Sequence, residues 1–407
     1  MKNKSKLNTV YCSRCLFSNR IVLPSIITQD DKKQSNKERV TFENGVCQAC
    51  LSVGKKFNKE TDWGKKEKQL NKFLEKYRSK NGSYDCIVPG SGGKDSVFQA
   101  HILKTKYNMN PLTVTFSPHV YTDIGSKNFH KWPLNGDVHN FLYTPSGKLH
   151  SKLASLAFKN LLHPFQPFIF GQRNYVVQMA KLLNLKLIFT GESHNDYGAD
   201  EIKEEEEKFL FPYKYWTLKD HKEPILISGL TLEELEKKHG IKSEELKFYL
   251  PITKKEAIKS DIKYIELGYF EKFGPQENYY LATKITDYQA NDRRTEQTYS
   301  KYSSIDDKLD PFHYYTAYVK FGYGRATTEA SNEIRHKYIS REEGLALVKK
   351  YDDEFPKRYF EDFLSYLNIS ENEFYETLDK FRNPEIWKKV GTDVKYCKNW
   401  QLINPPE

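Results

Sequence analysis

The 407-residue sequence contains no apolar run approaching the ~20 residues that cross a bilayer, which excludes a membrane-spanning helix. Its basic start, Met1 to Val10, has no apolar stretch behind it, so no secretory signal is expected. The expected setting is the cytoplasm, where thiols stay reduced, with no membrane partner. Blocks of basic residues are also missing. The net charge of +10, from 64 basic and 54 acidic residues, is scattered, and the densest charge run is acidic, Glu201 to Glu207. Nucleic acid is therefore not the expected partner. Cysteine is sparse, at six residues. Two of these, Cys86 and Cys397, have no neighbouring pattern that would mark a nucleophile. Two common nucleotide motifs are absent, the GK[ST] ending of a Walker loop and GxGxxG, and no internal repeat is found.

What stands in their place is Cys86-Ile87-Val88-Pro89-Gly90-Ser91-Gly92-Gly93-Lys94-Asp95-Ser96-Val97-Phe98. An apolar run ends at Pro89, a glycine-rich turn follows, and a helical pattern begins. That layout is a strand feeding a phosphate-binding turn at a helix N-terminus. Glycines let N–H groups close around an anion, and the helix dipole adds partial positive charge.

Four cysteines precede this turn as two pairs, Cys12-Ser13-Arg14-Cys15 and Cys47-Gln48-Ala49-Cys50. Each C-x-x-C presents two sulfurs to one ion, and two pairs fill a tetrahedral shell. Structural Zn²⁺ is the expected occupant, with an iron–sulfur cluster, which thiolates also select, or redox-active thiols as the alternatives. Gly45 suits the tight turn before the second pair.

Strands at Tyr84–Pro89, Pro111–Phe116, Asn140–Tyr143 and Lys186–Thr190 alternate with helices at Val97–Lys106, Lys148–Asn160 and Asn174–Leu183. A helix over Trp63–Tyr77 precedes them. The pattern predicts an α/β fold, a doubly wound parallel sheet with ligands beyond the strands' carboxyl ends. Three regions are expected: a four-cysteine zinc-knuckle segment at 1–62, an α/β nucleotide-binding domain at 63–270 with an insertion near 201–251, and substrate-binding loops with a helical C-terminal region at 271–407. A polar run from Thr286 to Asp310 has no periodicity and is rich in groups that bind sugars and phosphates. Ser340 and Ser370 each precede a glutamate by three residues, the capping-box pattern. Phe374, Leu378 and Phe381 form one apolar stripe, read as core.

Ser-Gly-Gly-Lys-Asp-Ser resembles the signature of the PP-loop ATP pyrophosphatases, of the adenine nucleotide alpha hydrolase-like fold. With the cysteine pairs, Phe-Thr-Gly-Glu192, Pro275-Gln-Glu-Asn-Tyr279, Arg294-Thr-Glu-Gln-Thr-Tyr-Ser-Lys-Tyr-Ser-Ser304, Phe312-His-Tyr-Tyr315 and Phe321-Gly-Tyr-Gly-Arg-Ala-Thr327, the chain resembles the N-acetyl sugar amidotransferases. The closest likeness is to the enzymes that make acetamidino derivatives of pseudaminic or legionaminic acid. The resemblance implies adenylation of an acetamido oxygen by Mg·ATP, then displacement of AMP by ammonia. It implies Ser91, Gly92, Gly93, Lys94, Asp95 and Ser96 on the phosphates, with Lys94 and Asp95 catalytic and Asp95 orienting Mg²⁺. The alternative for Asp95 is helix capping. Phe116, at the end of the second strand, is placed at adenine through its backbone, and Gly191 and Glu192 at the nucleotide, Mg²⁺ or substrate. Asn195, Tyr197, Arg293, Arg294 and Arg325 are candidates for the N-acetylated sugar, the arginines through a carboxylate or phosphate. His194 and His313 lack partners in the sequence and are not assigned as bases. No cysteine is set up to release ammonia from glutamine and residue 2 is Lys, so a separate glutaminase subunit is the expected donor. A PP-loop tRNA thiolation enzyme is the alternative, because such enzymes also combine this loop with paired cysteines.

Overall fold

The computed structural model describes residues 9–21, 40–56, 61–191 and 225–407. Near the N-terminus, β1 (Phe42–Glu43) and β2 (Val46–Cys47) form a hairpin through Asn44 and Gly45, both at positive φ. Asn-Gly tolerates that turn better than any other pair. The hairpin delivers Cys47 to α1 (Gln48–Lys56), and α2 (Trp63–Leu74) follows, capped by Asp62 on Lys65 N–H.

The centre is a parallel sheet of β3 (Cys86–Pro89), β4 (Pro111–Phe116), β5 (His139–Tyr143), β6 (Leu187–Thr190) and β7 (Lys263–Glu266), in the order β5-β4-β3-β6-β7. Central parallel strands are covered on both faces, and all six residues of β4 are buried, Thr113 and Thr115 included. Alternation divides β3 and β6 between two cores, while β4 turns Leu112 and Val114 to one core and the hydroxyls of Thr113 and Thr115 to the other face. Ile87, Leu112, Val114 and Ile188 face one cluster, while Cys86, Val88, Leu187 and Phe189 face the other. The helices α3 (Lys94–Thr105), α4 (Asp123–Gly136), α5 (Gly147–Leu161) and α6 (Gln166–Leu182) cover these faces. Because β4 lies on one side of β3 and β6 on the other, strand order reverses beside the turn after β3. Ligands bind at such a switch point.

The edge strand β7 was not expected. Lys263-Tyr-Ile-Glu is short and half polar, so it carries no periodic signal. The C-terminal region is helical, with helices at Asp310–Phe321, Arg325–Arg335, Arg341–Tyr351, Phe360–Leu367 and Glu371–Phe381. It ends, against expectation, in an antiparallel pair, β8 (Trp387–Lys389) and β9 (Trp400–Leu402). Ser340 forms a full capping box with Glu343, and Ser370 accepts from Glu373 N–H. Phe312, Phe363 and Phe374 join the same core cluster as Ile87 and Leu112, so these helices are packed onto the sheet. The acidic run at 201–207 and the first part of the expected insertion lie outside the described residues. Among those described, no helix is long and apolar enough to cross a membrane.

Candidate functional site

The turn after β3 owes its shape to two glycines. A Cβ on Gly90 would lie 2.2 Å from Ser96 Cβ, so only glycine lets α3 fold back against the strand end. Gly92 sits at φ +81°, and a Cβ there would meet Phe129 Cα at 2.8 Å. Gly93 is the N-cap of α3 and offers no side chain to the first N–H groups. An uncapped helix start behind a positive-φ glycine is an anion-binding concavity. Gly92→Ala is expected to destabilise by about 1–2 kcal/mol from backbone strain alone. A lowered thermal midpoint checks this; an unchanged midpoint would mean the turn relaxes freely.

The concavity opens into a cleft. Its first chamber, about 180 Å³, is lined by Ser91 to Asp95, by Gly125 and Asn128 of α4, by Tyr288 and residues 302–306, and by Arg325. A second chamber, about 240 Å³, shares Lys94, Asp95, Tyr302, Ser303 and Arg325, and adds Phe273, Tyr314, Glu329, Asn332, Glu333 and His336 among its walls. The polar run is fastened over the turn. Asn128 exchanges two hydrogen bonds with Gln289, donating at 2.8 Å and accepting at 2.9 Å. Ser91 Oγ donates to Asp306 Oδ2 at 2.7 Å, and Tyr302 stacks on Tyr279 with centroids 4.5 Å apart.

Lys94 Nζ lies 2.5 Å from Asp95 Oδ2, and Asn278 Nδ2 donates to Asp95 Oδ1 at 2.7 Å. The carboxylate is thus held by two side chains rather than spent on capping α3. Arg325 stacks on Tyr314 at 4.1 Å and pairs through Nε with Glu329 at 2.8 Å. Burial pushes the Glu333 carboxyl up, although it accepts a hydrogen bond from Tyr299. Both chambers are therefore lined with hydroxyls, carboxylates, aromatic rings and two cations, which suits a polyol or phosphorylated ligand.

Of the residues singled out in the sequence, Ser91, Gly92, Gly93, Lys94, Asp95 and Arg325 meet in this cleft. Others do not line it. Ser96 turns inward, donating to Gly93 O at 2.9 Å. Phe116 is 3% exposed, ringed by Tyr143, Phe168 and Tyr249, and its ring fills the space a Cβ on Gly171 would need. Gly191, at the end of β6, is packed beneath Phe273 and Gln99. Arg294 is turned to a partner within the protein. It makes a bidentate pair with Glu354, at 2.5 and 2.6 Å, and stacks on Tyr351. Arg293 is exposed beside Asp292. Glu192, His194, Asn195 and Tyr197 lie outside the described residues. His313 is half-buried and stacked on His163 and Phe165, and desolvation pushes its pKa down to about 3, as suits a neutral histidine. Asp306, Asn278, Glu329 and Glu333 were missed. Asn278 and the polar run holding Asp306 did lie in segments already singled out.

A separate centre is formed by Cys12, Cys15, Cys47 and Cys50, all buried, with sulfurs within 4.8 Å of one another. A zinc–thiolate distance of about 2.3 Å implies tetrahedral sulfurs about 3.8 Å apart. Cys12 and Cys50 are separated by 3.8 Å, and Cys15 and Cys47 by 3.6 Å. Spacing this tight fits one ion and leaves no room for the sulfides of a multi-iron cluster. Backbone N–H groups of Arg14 and Cys47 point at Cys12 Sγ, and Phe17 N–H points at Cys15 Sγ, which favours thiolate over thiol.

A family model described as the C-terminal domain of WbpG-like LPS biosynthesis proteins matches residues 296–403. The matched segment holds Tyr302 to Asp306 and the helix bearing Arg325, so it supplies one wall of the cleft. A sugar-modifying biosynthetic role fits that match. The chain is also 27% identical over 230 residues to the uncharacterized protein MJ1599 of Methanocaldococcus jannaschii, covering 51% of this chain and 80% of that protein.

Proposed function

We propose that the chain is a PP-loop, AMP-forming amidotransferase of surface-polysaccharide biosynthesis, acting on an N-acetylated sugar. One observation carries this reading: the uncapped, lysine-bearing turn after β3 opens into a cleft whose far wall belongs to the segment matched to LPS biosynthesis proteins. A nonulosonic acid of the pseudaminic or legionaminic type is the sugar that the sequence resemblance favours.

An acetamide is a weak electrophile with a poor leaving group. Attack of its oxygen on the α-phosphorus of ATP forms the P–O bond and releases pyrophosphate. Ammonia then adds at the activated carbon, and AMP departs with the former amide oxygen, leaving an acetamidine after proton loss from nitrogen. The N–H groups at Gly93 to Asp95 bind phosphate oxygens, the Ser91 hydroxyl joins them by turning from Asp306, and Lys94 offsets charge developing on pyrophosphate. Asp95 and Asp306 both line the first chamber and offer the hard oxygens that Mg²⁺ prefers. That ion would supply charge neutralisation on the phosphates. The second chamber, with Tyr302, Tyr314, Glu329 and Asn332, receives the sugar. Ammonia comes from solution or a separate glutaminase, since no cysteine lines either chamber. The same absence leaves the thiolation reading without a sulfur carrier at the cleft, and Cys86 is fully buried with its thiol pushed up by desolvation.

Asn278 fixes Asp95 without lining the cleft, so Asn278→Ala is expected to slow AMP formation about 10-fold and to raise the Mg²⁺ concentration needed for half-maximal rate. An unchanged Mg²⁺ requirement would assign it to packing only. The proposed reaction is tested by incubating the protein with Mg·ATP, ammonium and a di-N-acetylated nonulosonic acid. Sugar-dependent AMP and pyrophosphate, together with replacement of one acetamide oxygen by NH in the mass spectrum, are expected. ADP as the nucleotide product would overturn the reaction class.

A further inference from the structure

The helix Arg325–Arg335 has two attachments. Arg325, Glu329, Asn332 and Glu333 recur on one face and wall the second chamber. Ser331 and Arg335 lie on another face, against the cysteine centre. Leu16 N–H, one residue beyond Cys15, donates to Ser331 Oγ at 3.2 Å. Arg335 Nη1 reaches Cys15 Sγ at 3.7 Å, and its guanidinium lies 4.6 Å above the Phe17 ring.

Arg335 is only 8% exposed, and among the described residues no carboxylate pairs with it. Its Nε and Nη2 have no hydrogen-bond partner among the described residues. A buried guanidinium without a counter-charge is strongly disfavoured. Four thiolates around one divalent ion carry a net double negative charge, and that charge lies at the distance of Cys15 Sγ. We propose that Arg335 is the counter-ion of the metal–tetrathiolate centre. Through Arg335 and Ser331, metal occupancy then fixes the helix that walls the cleft. Arg335 is accordingly a positioning residue: it strengthens the metal site as an outer-shell donor and transmits the site's order to Arg325. The proposal does not depend on which reaction the cleft performs.

The test uses the full zinc-loaded chain. Zinc transfer to a chromophoric chelator is timed for wild type, Arg335→Met and Arg335→Lys, and amide hydrogen exchange is followed in residues 325–336 and 94–105. Arg335→Met is expected to release zinc about 10- to 100-fold faster, with Arg335→Lys between it and wild type. Stripping zinc from the wild-type chain is expected to speed exchange in 325–336 and leave 94–105 unchanged. Equal zinc transfer rates in wild type and Arg335→Met would overturn the counter-ion role. Exchange in 325–336 that ignores metal removal, or rises equally in 94–105, would overturn the coupling. Should Arg335→Met fail to fold, Arg335→Lys and the stripped wild type decide both points.

Discussion

Replacing Lys94 by alanine is expected to lower AMP formation by about 10²–10³-fold while leaving the protein folded, which corresponds to the loss of about 3–4 kcal/mol of transition-state stabilisation. Lys94 opens α3 and borders both chambers, so it sits where departing pyrophosphate would gather charge. Its side chain is 13% exposed and its ionic partner in the structure is the adjacent Asp95. Removing it therefore breaks no ion pair with a distant residue among the described residues, and the thermal midpoint should move little. Lys94→Arg keeps the charge, but its planar fork does not fit the space of an ammonium, so recovery should be partial. AMP release measured against circular dichroism separates chemistry from folding. Full activity in Lys94→Ala would remove the turn from the mechanism.

The second large effect is expected from the cysteine centre. The cysteine segment buries only a small cluster around Phe17, Val40 and Ala49, built on two-residue strands and one nine-residue helix. Segments of that size do not fold on hydrophobic burial alone. A structural zinc contributes about 10–16 kcal/mol of apparent binding energy in small zinc peptides, most of it spent on folding. Cys47→Ser is thus expected to abolish metal retention and to make residues near the N-terminus sensitive to protease, while the parallel sheet persists. Metal analysis should find one zinc per chain in wild type and none in the variant. Iron with acid-labile sulfide would contradict the single-ion geometry.

How far the sequence revealed this arrangement depends on the range of the interactions. The turn at Gly90–Ser96 and the cysteine pairs were legible because their chemistry is contained in a few consecutive residues. β3 and β6 were legible as apolar runs, since parallel strands buried on both faces need no polar alternation, and β4 as a strand-favouring run in which Thr113 and Thr115 alternate with Leu112 and Val114. β7, half polar and at the sheet edge, left no such trace. The start of α4 was hidden in Asp123-Ile-Gly-Ser-Lys, where Thr122 caps Gly125 N–H. Long-range pairing was not legible at all. Asp306 meets Ser91 across 215 positions, and Arg294 is claimed by Glu354 across 60. Phe116 was read as an adenine contact through its backbone at a strand end, and nothing local shows that its ring is packed into the space beside Gly171 of α6. The polar run from Thr286 to Asp310 was visible as a functional segment, but its individual contacts depend on α4 and the turn beneath it.

The central claim, that the turn after β3 is a nucleotide-phosphate site facing the matched C-terminal wall, is tested most directly by calorimetric titration with Mg²⁺ and α,β-methylene-ATP, paired with hydrogen exchange. Stoichiometric binding, protection confined to residues 91–98 and 300–306, and at least 10-fold weaker binding by Lys94→Ala are the predicted results. No binding at millimolar analogue, or protection elsewhere with Lys94→Ala behaving as wild type, would contradict the account.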